Sequence, residues 1–325
     1  MTNELLERCK LFASNLEMMK KNFRWESSQL YAICANIYTD EGIELNPKRI
    51  KATKEIIKCS TNMFSNFRSV SITVPLATLL SMDKFPSKTF EQVRLVYDIL
   101  KELFSPSAYL TLAAYLIVKN SNLEEYHKLA KRSRLTFDMI KKSHFFLTSS
   151  VNCITAVIFA LSNSNETEII AKADECFEIL KQKLSGGNTI QAISNTLALS
   201  EDDSFGLCIK TMRIIEGLRS HGYKLNSGVD LAVFAGLAIS NASVEIIIKD
   251  ILEVNAYLMT VSGFGNIITG SKIMDPKLLG KRRILYSALI VLDEYSKSST
   301  IDSSLGAASF MASINIINSL SPTNL

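Results

Sequence analysis

Two kinds of segment alternate along this chain, one apolar on nearly every side and the other apolar on one face only. In residues 160–187, an apolar segment ends at Leu161, a polar turn follows, and an amphipathic segment runs from Glu166 to Leu184. Apolar residues three and four positions apart predict a helix with one buried face, whereas an all-apolar segment predicts a helix enclosed by its neighbours. The stretch therefore predicts two helices joined by a short turn.

The same pattern returns about every 40 residues, a period typical of paired-helix repeats. Equivalent positions in the amphipathic segments are Tyr97, Phe137, Phe177, Ile215 and Asn255. The apolar segments recur with the same period. They end at Ser81, Lys119, Ser162, Ser200 and Ser240. These matches predict an all-α fold of α-α hairpin repeats, about 40 residues each, that stack as an α/α superhelix or close into an α/α toroid.

Stacked repeats share their core with their neighbours, so the chain is predicted to form one domain over residues 1–325. Residues 1–22 are predicted to be an N-terminal capping helix, residues 23–295 the helical hairpins, and residues 296–325 a C-terminal cap. The last hairpin departs from the pattern, because residues 262–280 lengthen one loop and contain four glycines.

Capping residues mark where helices are expected to begin. The predicted N-caps are Ser27 or Ser28, Ser87, Ser121 or Asn122, and Asn163, and Pro47 is predicted to occupy the first position of the helix that follows it. These positions separate the apolar segments from the amphipathic ones.

Hydrophobic residues make up 47% of the chain, but no apolar run reaches the roughly 18 residues needed to span a bilayer. The opening residues MTNELLERCK carry charges where a signal peptide would need an apolar core. We therefore expect a cytoplasmic protein with no membrane partner.

Cysteine and histidine give no support for a metal or a cofactor. The six cysteines are scattered and form no CxxC pair, and the three histidines have no partner at metal-ligand spacing. Gly263 and Gly265 do not form a dinucleotide fingerprint, which requires a preceding strand. We expect no cofactor, no metal and no assignable catalytic residue.

Charge follows the ends of the amphipathic segments, with acidic residues where they begin and basic residues where they end. Complementarity to helix dipoles explains this arrangement without a ligand. The alternative is a basic edge that attracts an anionic partner. Although the net charge is +4, lysine and arginine are interleaved with aspartate and glutamate instead of forming a basic stripe, so nucleic-acid binding is only a weaker alternative.

Several polar and aromatic residues lie in or near the loops that precede the apolar segments. Each is explained singly as a helix cap, a carbonyl ligand or an aromatic staple, and only their convergence would indicate a binding site. These candidates for a ligand or partner surface are Trp25, Arg68, Tyr109, His144, Thr148, Ser149, Asn188, Gln191, Asn195 and Arg283.

Five motifs, in this order, carry a resemblance to a known family. They are NFRWESS, FSNFRS followed by PLATLLS, HFFLTSS, SGGNTIQAISNTLALS, and GFG followed by KRRILYSALIV. The set resembles the bacterial family of domain of unknown function 4003 over nearly the whole chain. The resemblance implies a bacterial helical protein without an assigned reaction, cofactor or substrate. Two departures are a longer insertion between Asn266 and Gly280, and Asn195 where a histidine is expected.

Two functions remain open. The first is a non-enzymatic scaffold that binds a protein or peptide, because curved helical arrays present extended surfaces. The second is a toroid enzyme or a binder of a small anionic molecule, with its site at the loops preceding the apolar helices. Contact between the first and last hairpins, with polar side chains aimed into a pocket, would favour the second function.

Overall fold

The computed structural model of the chain describes residues 1–162, 164–262, 264, 276–297 and 303–320, and only the backbone of residues 276–279. Within this part the chain forms helices and turns and no strand, which confirms the all-α prediction. The α-helices are α1 Asn3–Asn22, α2 Tyr31–Asp40, α3 Pro47–Cys59, α4 Thr73–Ser81, α5 Pro86–Lys101, α6 Ala108–Asn120, α7 Tyr126–Ser143, α8 Asn152–Leu161, α9 Glu166–Leu180, α10 Gly187–Leu197, α11 Ser204–Ser220, α12 Ala232–Ile239, α13 Val244–Thr260, α14 Pro276–Ser296 and α15 Ser304–Ser319.

Two classes of helix alternate along the chain. The apolar helices are the even-numbered ones from α2 to α14, and the amphipathic helices are the odd-numbered ones from α1 to α13. Every residue of α12 is buried, whereas α5 buries one face through Phe90, Val93 and Leu100. Because an all-apolar helix must be covered on every side, the apolar helices lie deeper than the amphipathic ones.

Each apolar helix packs closely against the amphipathic helix that precedes it, as α2 does against α1 and α8 against α7. The sequence pattern had paired each apolar segment with the amphipathic segment after it. An alternating series of helices has the same period in either frame, so periodicity alone cannot choose between them. Consequently, α1 holds the same position against α2 that α3 holds against α4.

The two ends of the helix series meet. Each amphipathic helix contacts the next one from α1 to α13, and α13 in turn contacts α1. Among the apolar helices, α14 contacts α2. Helix α15, which covers much of the region predicted as a C-terminal cap, contacts α10, α12, α14 and α2.

Buried polar side chains join these ends. Arg8 of α1 donates from Nε to the Glu294 carboxylate of α14 at 2.8 Å, and Asn36 of α2 donates to Asp293 at 2.6 Å. Ser309 of α15 is hydrogen-bonded to the other oxygen of Asp293. The contact therefore includes directional bonds between α1, α2, α14 and α15.

Helix starts agree only in part with the predicted capping residues. Pro47 occupies the first position of α3, as expected. Pro86 likewise opens α5, so Ser87 lies inside the first turn and the prediction that it caps the helix is wrong. Proline suits the first helical position because its missing N–H has no partner there, and this preference sets the start.

The other caps also shift. A 3₁₀ turn, Ser28–Leu30, precedes α2, and neither Ser27 nor Ser28 provides a side-chain cap, so that prediction is wrong. The cap of α9 is Asn165, which accepts from the Thr167 N–H at 2.8 Å, while Asn163 lies outside the described residues. Helix α7 begins after Glu125 without a side-chain cap, so the prediction that Ser121 or Asn122 caps it is wrong. Asn122 instead accepts from the Glu124 N–H in the turn before α7.

Glycine at position 236 permits close packing of α12 on α14. A Cβ atom there would lie 2.6 Å from Cδ2 of Leu292. We expect Gly236→Ala to lower the free energy of unfolding by about 1–3 kcal/mol through overpacking, as measured by chemical denaturation. Gly280→Ala is the matched control, because a Cβ atom at that helical glycine meets nothing within 4 Å. Equal stabilities of both variants would contradict the packing.

Candidate functional site

A cavity of about 780 Å³ lies at the N-terminal ends of α8 and α10. Its walls come from these two helices, from the loops before α2, α8 and α12, and from parts of α14 and α15. The largely exposed Phe146 belongs to both the lining and the protein surface, so the cavity opens at the edge formed by the loops that precede the apolar helices. We call this edge the cavity edge.

Polar side chains project into the cavity from otherwise apolar helices. On α10, Asn188, Gln191 and Asn195 are spaced three and four residues apart, which places them on one face of the helix. On α8, Asn152 and Thr155 repeat this spacing. The remaining faces of both helices are buried among apolar neighbours, so the polar stripes face the cavity.

Carboxamides and hydroxyls dominate the lining. These groups both donate and accept hydrogen bonds, and they suit a polar organic ligand. The carboxamide residues are Gln29, Asn152, Asn188, Gln191, Asn195, Asn315 and Asn318. The hydroxyl residues are Ser28, Thr148, Ser149, Thr155, Thr189, Ser227, Tyr286 and Ser319.

Gln191 and Tyr286 are two buried side chains in the lining, 4% and 1% exposed. Nε2 of Gln191 has no hydrogen-bond partner among the described residues, and an unsatisfied buried polar group costs about 1–3 kcal/mol. Arg282 is close to the Tyr286 hydroxyl, and burial raises the pKa of Tyr286, which keeps the phenol neutral and able to donate. Both residues therefore add polar character to the cavity wall.

Three charged residues line the cavity. Asp230 is buried and lies 3.2 Å from the Lys281 ammonium. Burial raises the pKa of Asp230, and the nearby Lys281 opposes this rise. Arg282 donates to the Gln29 carbonyl at 2.8 Å and pairs with no carboxylate among the described residues. The pair of Asp230 and Lys281 is close to neutral, so Arg282 gives the cavity a net positive charge.

Five of the ten sequence-predicted site residues line the cavity, namely Thr148, Ser149, Asn188, Gln191 and Asn195. Tyr109 lies beside it and donates to the side-chain oxygen of Asn318 at 2.9 Å. The loop before α8 and one face of α10 thus bring these five residues together.

The other four candidates lie elsewhere. Arg68 donates to the carbonyl of Lys58 in the last turn of α3 and to that of Thr61 just after the helix, which is the carbonyl-binding role considered above. His144 lies 3.0 Å from the Asp174 carboxylate. Arg283 donates to the Asn255 side chain and to the Phe264 carbonyl, both at 2.8 Å.

Trp25 differs from its expected role as an aromatic staple, because its side chain is almost completely exposed in the loop before α2. Phe23 occupies the buried position after α1 instead. The indole is therefore free to contact something outside the chain.

Several lining residues are not among the sequence-predicted candidates. Those with the clearest chemistry are Gln29, Asn152, Asp230, Lys281, Arg282 and Tyr286. The detectable signal was the presence of single polar residues in apolar segments, as with Asn152 and Tyr286. The described residues contain no group of three or more His, Cys, Asp or Glu side chains arranged for a metal, and no described helix is long and apolar enough to cross a membrane.

These features define an all-helical protein with a polar, positively charged cavity between its helices. The chain belongs to the family described as "Protein of unknown function (DUF4003)", whose sequence model matches residues 15–317 and confirms the resemblance noted above. It is similar to "Uncharacterized protein YeaA" of Bacillus subtilis (strain 168), with 23% identity over 208 residues, or 62% of this chain. The chain spans 63% of the length of that relative. No solved structure matches the chain significantly.

Proposed function

We propose that the helices form a closed α/α toroid and that the protein binds a small polar, anionic molecule in the cavity. The contacts of α13 with α1 and of α14 with α2 support closure, because an open superhelix would leave its first and last hairpins apart. Helix α15 contributes one wall of the cavity inside this arrangement.

The observation that carries the binding proposal is the polar face of α10, where Asn188, Gln191 and Asn195 line the cavity. Known small-molecule sites occupy roughly 300–1,000 Å³ and combine apolar walls with a few directed polar groups. A ligand that bonds to these carboxamides would offset their desolvation.

Charge supports an anionic group on the ligand. Arg282 has no carboxylate partner among the described residues, and a guanidinium can bind a carboxylate or phosphate through two parallel hydrogen bonds. The N-terminal ends of α8 and α10 add partial positive charge to the same space. We therefore propose a carboxylate or phosphate ester whose remaining part is polar.

Binding is a better proposal than catalysis for the described lining. Its titratable side chains are Asp230, Lys281, Arg282 and Tyr286, and Asp230 is already paired with Lys281. This set does not place a nucleophile beside a general base. The contacts between the two ends of the helix series also favour a ligand within the cavity over a peptide on an open concave surface.

The proposal is tested with the full chain. Native mass spectrometry of protein purified without added ligand should reveal a co-purified small molecule, and thermal-shift titration with sugar phosphates, nucleotides and dicarboxylates should identify a ligand class. Substitution of Gln191→Leu and of Arg282→Met should each weaken binding of the best compound by about tenfold or more, since a bond to a charged group contributes about 1.5–3 kcal/mol.

Gln182→Leu is the matched control, because Gln182 is exposed and lies outside the cavity. Its affinity should equal that of the unmodified chain. The absence of any bound molecule together with no thermal shift across the panel would contradict the proposal, as would equal affinities of the cavity variants and the control.

A further inference from the structure

Three aromatic side chains on the cavity edge are almost wholly exposed. They are Trp25 at 98%, Phe64 at 95% and Phe146 at 96%. They belong to the loops between α1 and α2, between α3 and α4, and between α7 and α8. Because consecutive helices double back on each other, all three loops lie at the same edge. A large aromatic side chain gains free energy from burial, so three exposed ones on one edge indicate a contact surface.

The aromatic residues are spread over separate loops. Phe146 packs edge to face against its neighbour Phe145, with ring centroids 5.3 Å apart. Trp25 and Phe64 lie on loops that belong to other helix pairs. Aromatic side chains that are distributed along one edge fit a partner with a broad, flat surface better than a partner with a narrow groove.

Loop charges differ between the two edges. Within the part of the chain that the structure describes, loops on the cavity edge carry five basic residues, Arg24, Arg68, Lys181, Lys183 and Lys224, against three acidic ones, Glu26, Glu102 and the buried Asp230. Loops on the opposite edge from α2 to α13 carry eight acidic residues, Glu41, Glu44, Asp83, Glu124, Glu125, Glu201, Asp202 and Asp203, against Lys84. The exposed aromatic side chains therefore lie on the cavity edge, which is the more basic of the two and is complementary to an anionic surface. We call the opposite edge the acidic edge.

We propose that the cavity edge docks on the surface of an anionic lipid bilayer. Tryptophan and phenylalanine at loop tips enter the interface between head groups and acyl chains, while lysine and arginine attract anionic head groups. Lys141 and Lys142 in the last turn of α7 add two exposed cations beside Phe145 and Phe146. Docking of this kind uses loops and needs no membrane-spanning helix, and it departs from the sequence-based expectation of no membrane partner.

The cavity opens on this docking surface, because Phe146 belongs to both. A ligand would then enter from the membrane side. The docking itself depends on the loop tips and edge charges and not on an occupied cavity, so vesicle binding and ligand binding can succeed or fail separately.

Trp25 provides a built-in test, since it is the only tryptophan in the chain. The full chain should be mixed with vesicles of phosphatidylcholine alone and with vesicles containing about 30% phosphatidylglycerol. We expect a blue shift of tryptophan emission and co-sedimentation only with the anionic vesicles, and both should decline as salt is raised. No shift and no sedimentation with anionic vesicles would overturn the proposal.

Loop variants refine the test. Phe64→Ser and Phe146→Ser should each reduce the vesicle partition coefficient by about tenfold, since each removes a large apolar side chain from the interface. Phe85→Ser is the matched control, because Phe85 is also exposed but lies between α4 and α5 on the acidic edge. Equal losses in all three variants would contradict the proposal. Capture of a protein partner that depends on Phe146, without vesicle binding, would replace the bilayer with a protein.

Discussion

Replacing Arg8 by alanine should lower the free energy of unfolding by about 3–5 kcal/mol, the cost typical of breaking a buried ion pair by removing one partner. Arg8 is only 6% exposed, and its Nε atom donates to the Glu294 carboxylate at 2.8 Å. Its Nη1 atom lies 3.4 Å from the Asp40 carboxylate. Its removal leaves these carboxylates without their shared cation, close to the buried Asp293. Chemical denaturation followed by circular dichroism measures the loss.

Lys10→Ala is the matched control for this variant. Lys10 is also on α1 and pairs with Glu7 at 2.7 Å, but both side chains are exposed. Exposed pairs contribute about 0–1 kcal/mol, so this variant should differ little from the unmodified chain. If Arg8→Ala were equally mild, Arg8 would not stabilise the contact between α1 and α14.

Replacing Asp293 by asparagine should stabilise the fold increasingly as pH rises. Burial raises the pKa of Asp293 to about 8, and the nearby Asp40 carboxylate adds to this rise. A carboxyl with a raised folded-state pKa contributes stability that is fully present below its unfolded pKa near 4 and is lost as pH rises to about 8. Asparagine resembles the protonated acid and avoids this loss, because its oxygen accepts from Asn36 while its NH2 group donates to the Ser309 hydroxyl oxygen.

The expected gain over the unmodified chain is near zero at about pH 4 and on the order of 2–5 kcal/mol above about pH 8. Urea denaturation across this range provides the measurement. Asp98→Asn is the control, because Asp98 is exposed and pairs with Lys101 on the surface. A pH-independent difference between the Asp293→Asn variant and the unmodified chain would show that Asp293 is ionised in the folded state throughout.

Local periodicity was sufficient to predict the helices and their alternation. The apolar segment ending at Ser200 and the amphipathic segment around Phe177 correspond to α10 and α9, since spacing along the chain determines which face is buried. The contact between the two ends could not be predicted in this way. It depends on bonds such as Arg8 to Glu294, which are 286 residues apart and have no local pattern.

The residues of the candidate site could likewise be predicted only in part from the sequence. Asn188, Gln191 and Asn195 were identified because they lie in or near the loop that precedes the apolar segment ending at Ser200. On α14 the sequence analysis chose Arg283, whereas Arg282 faces the cavity. One residue turns a helix by about 100°, and in a run of three basic residues the pattern does not indicate which one faces inward. The wall formed by α15 depends entirely on tertiary packing.

The separation of Arg8 from Glu294 affects how the protein is made. During synthesis the first helix leaves the ribosome long before its partner exists, and at about 5–20 residues per second the delay is roughly 15–60 s. Over that interval the face of α1 that later covers α13 and α14 has nothing to pack against. Newly synthesised chains therefore expose this face of α1 to solvent until α13 and α14 emerge.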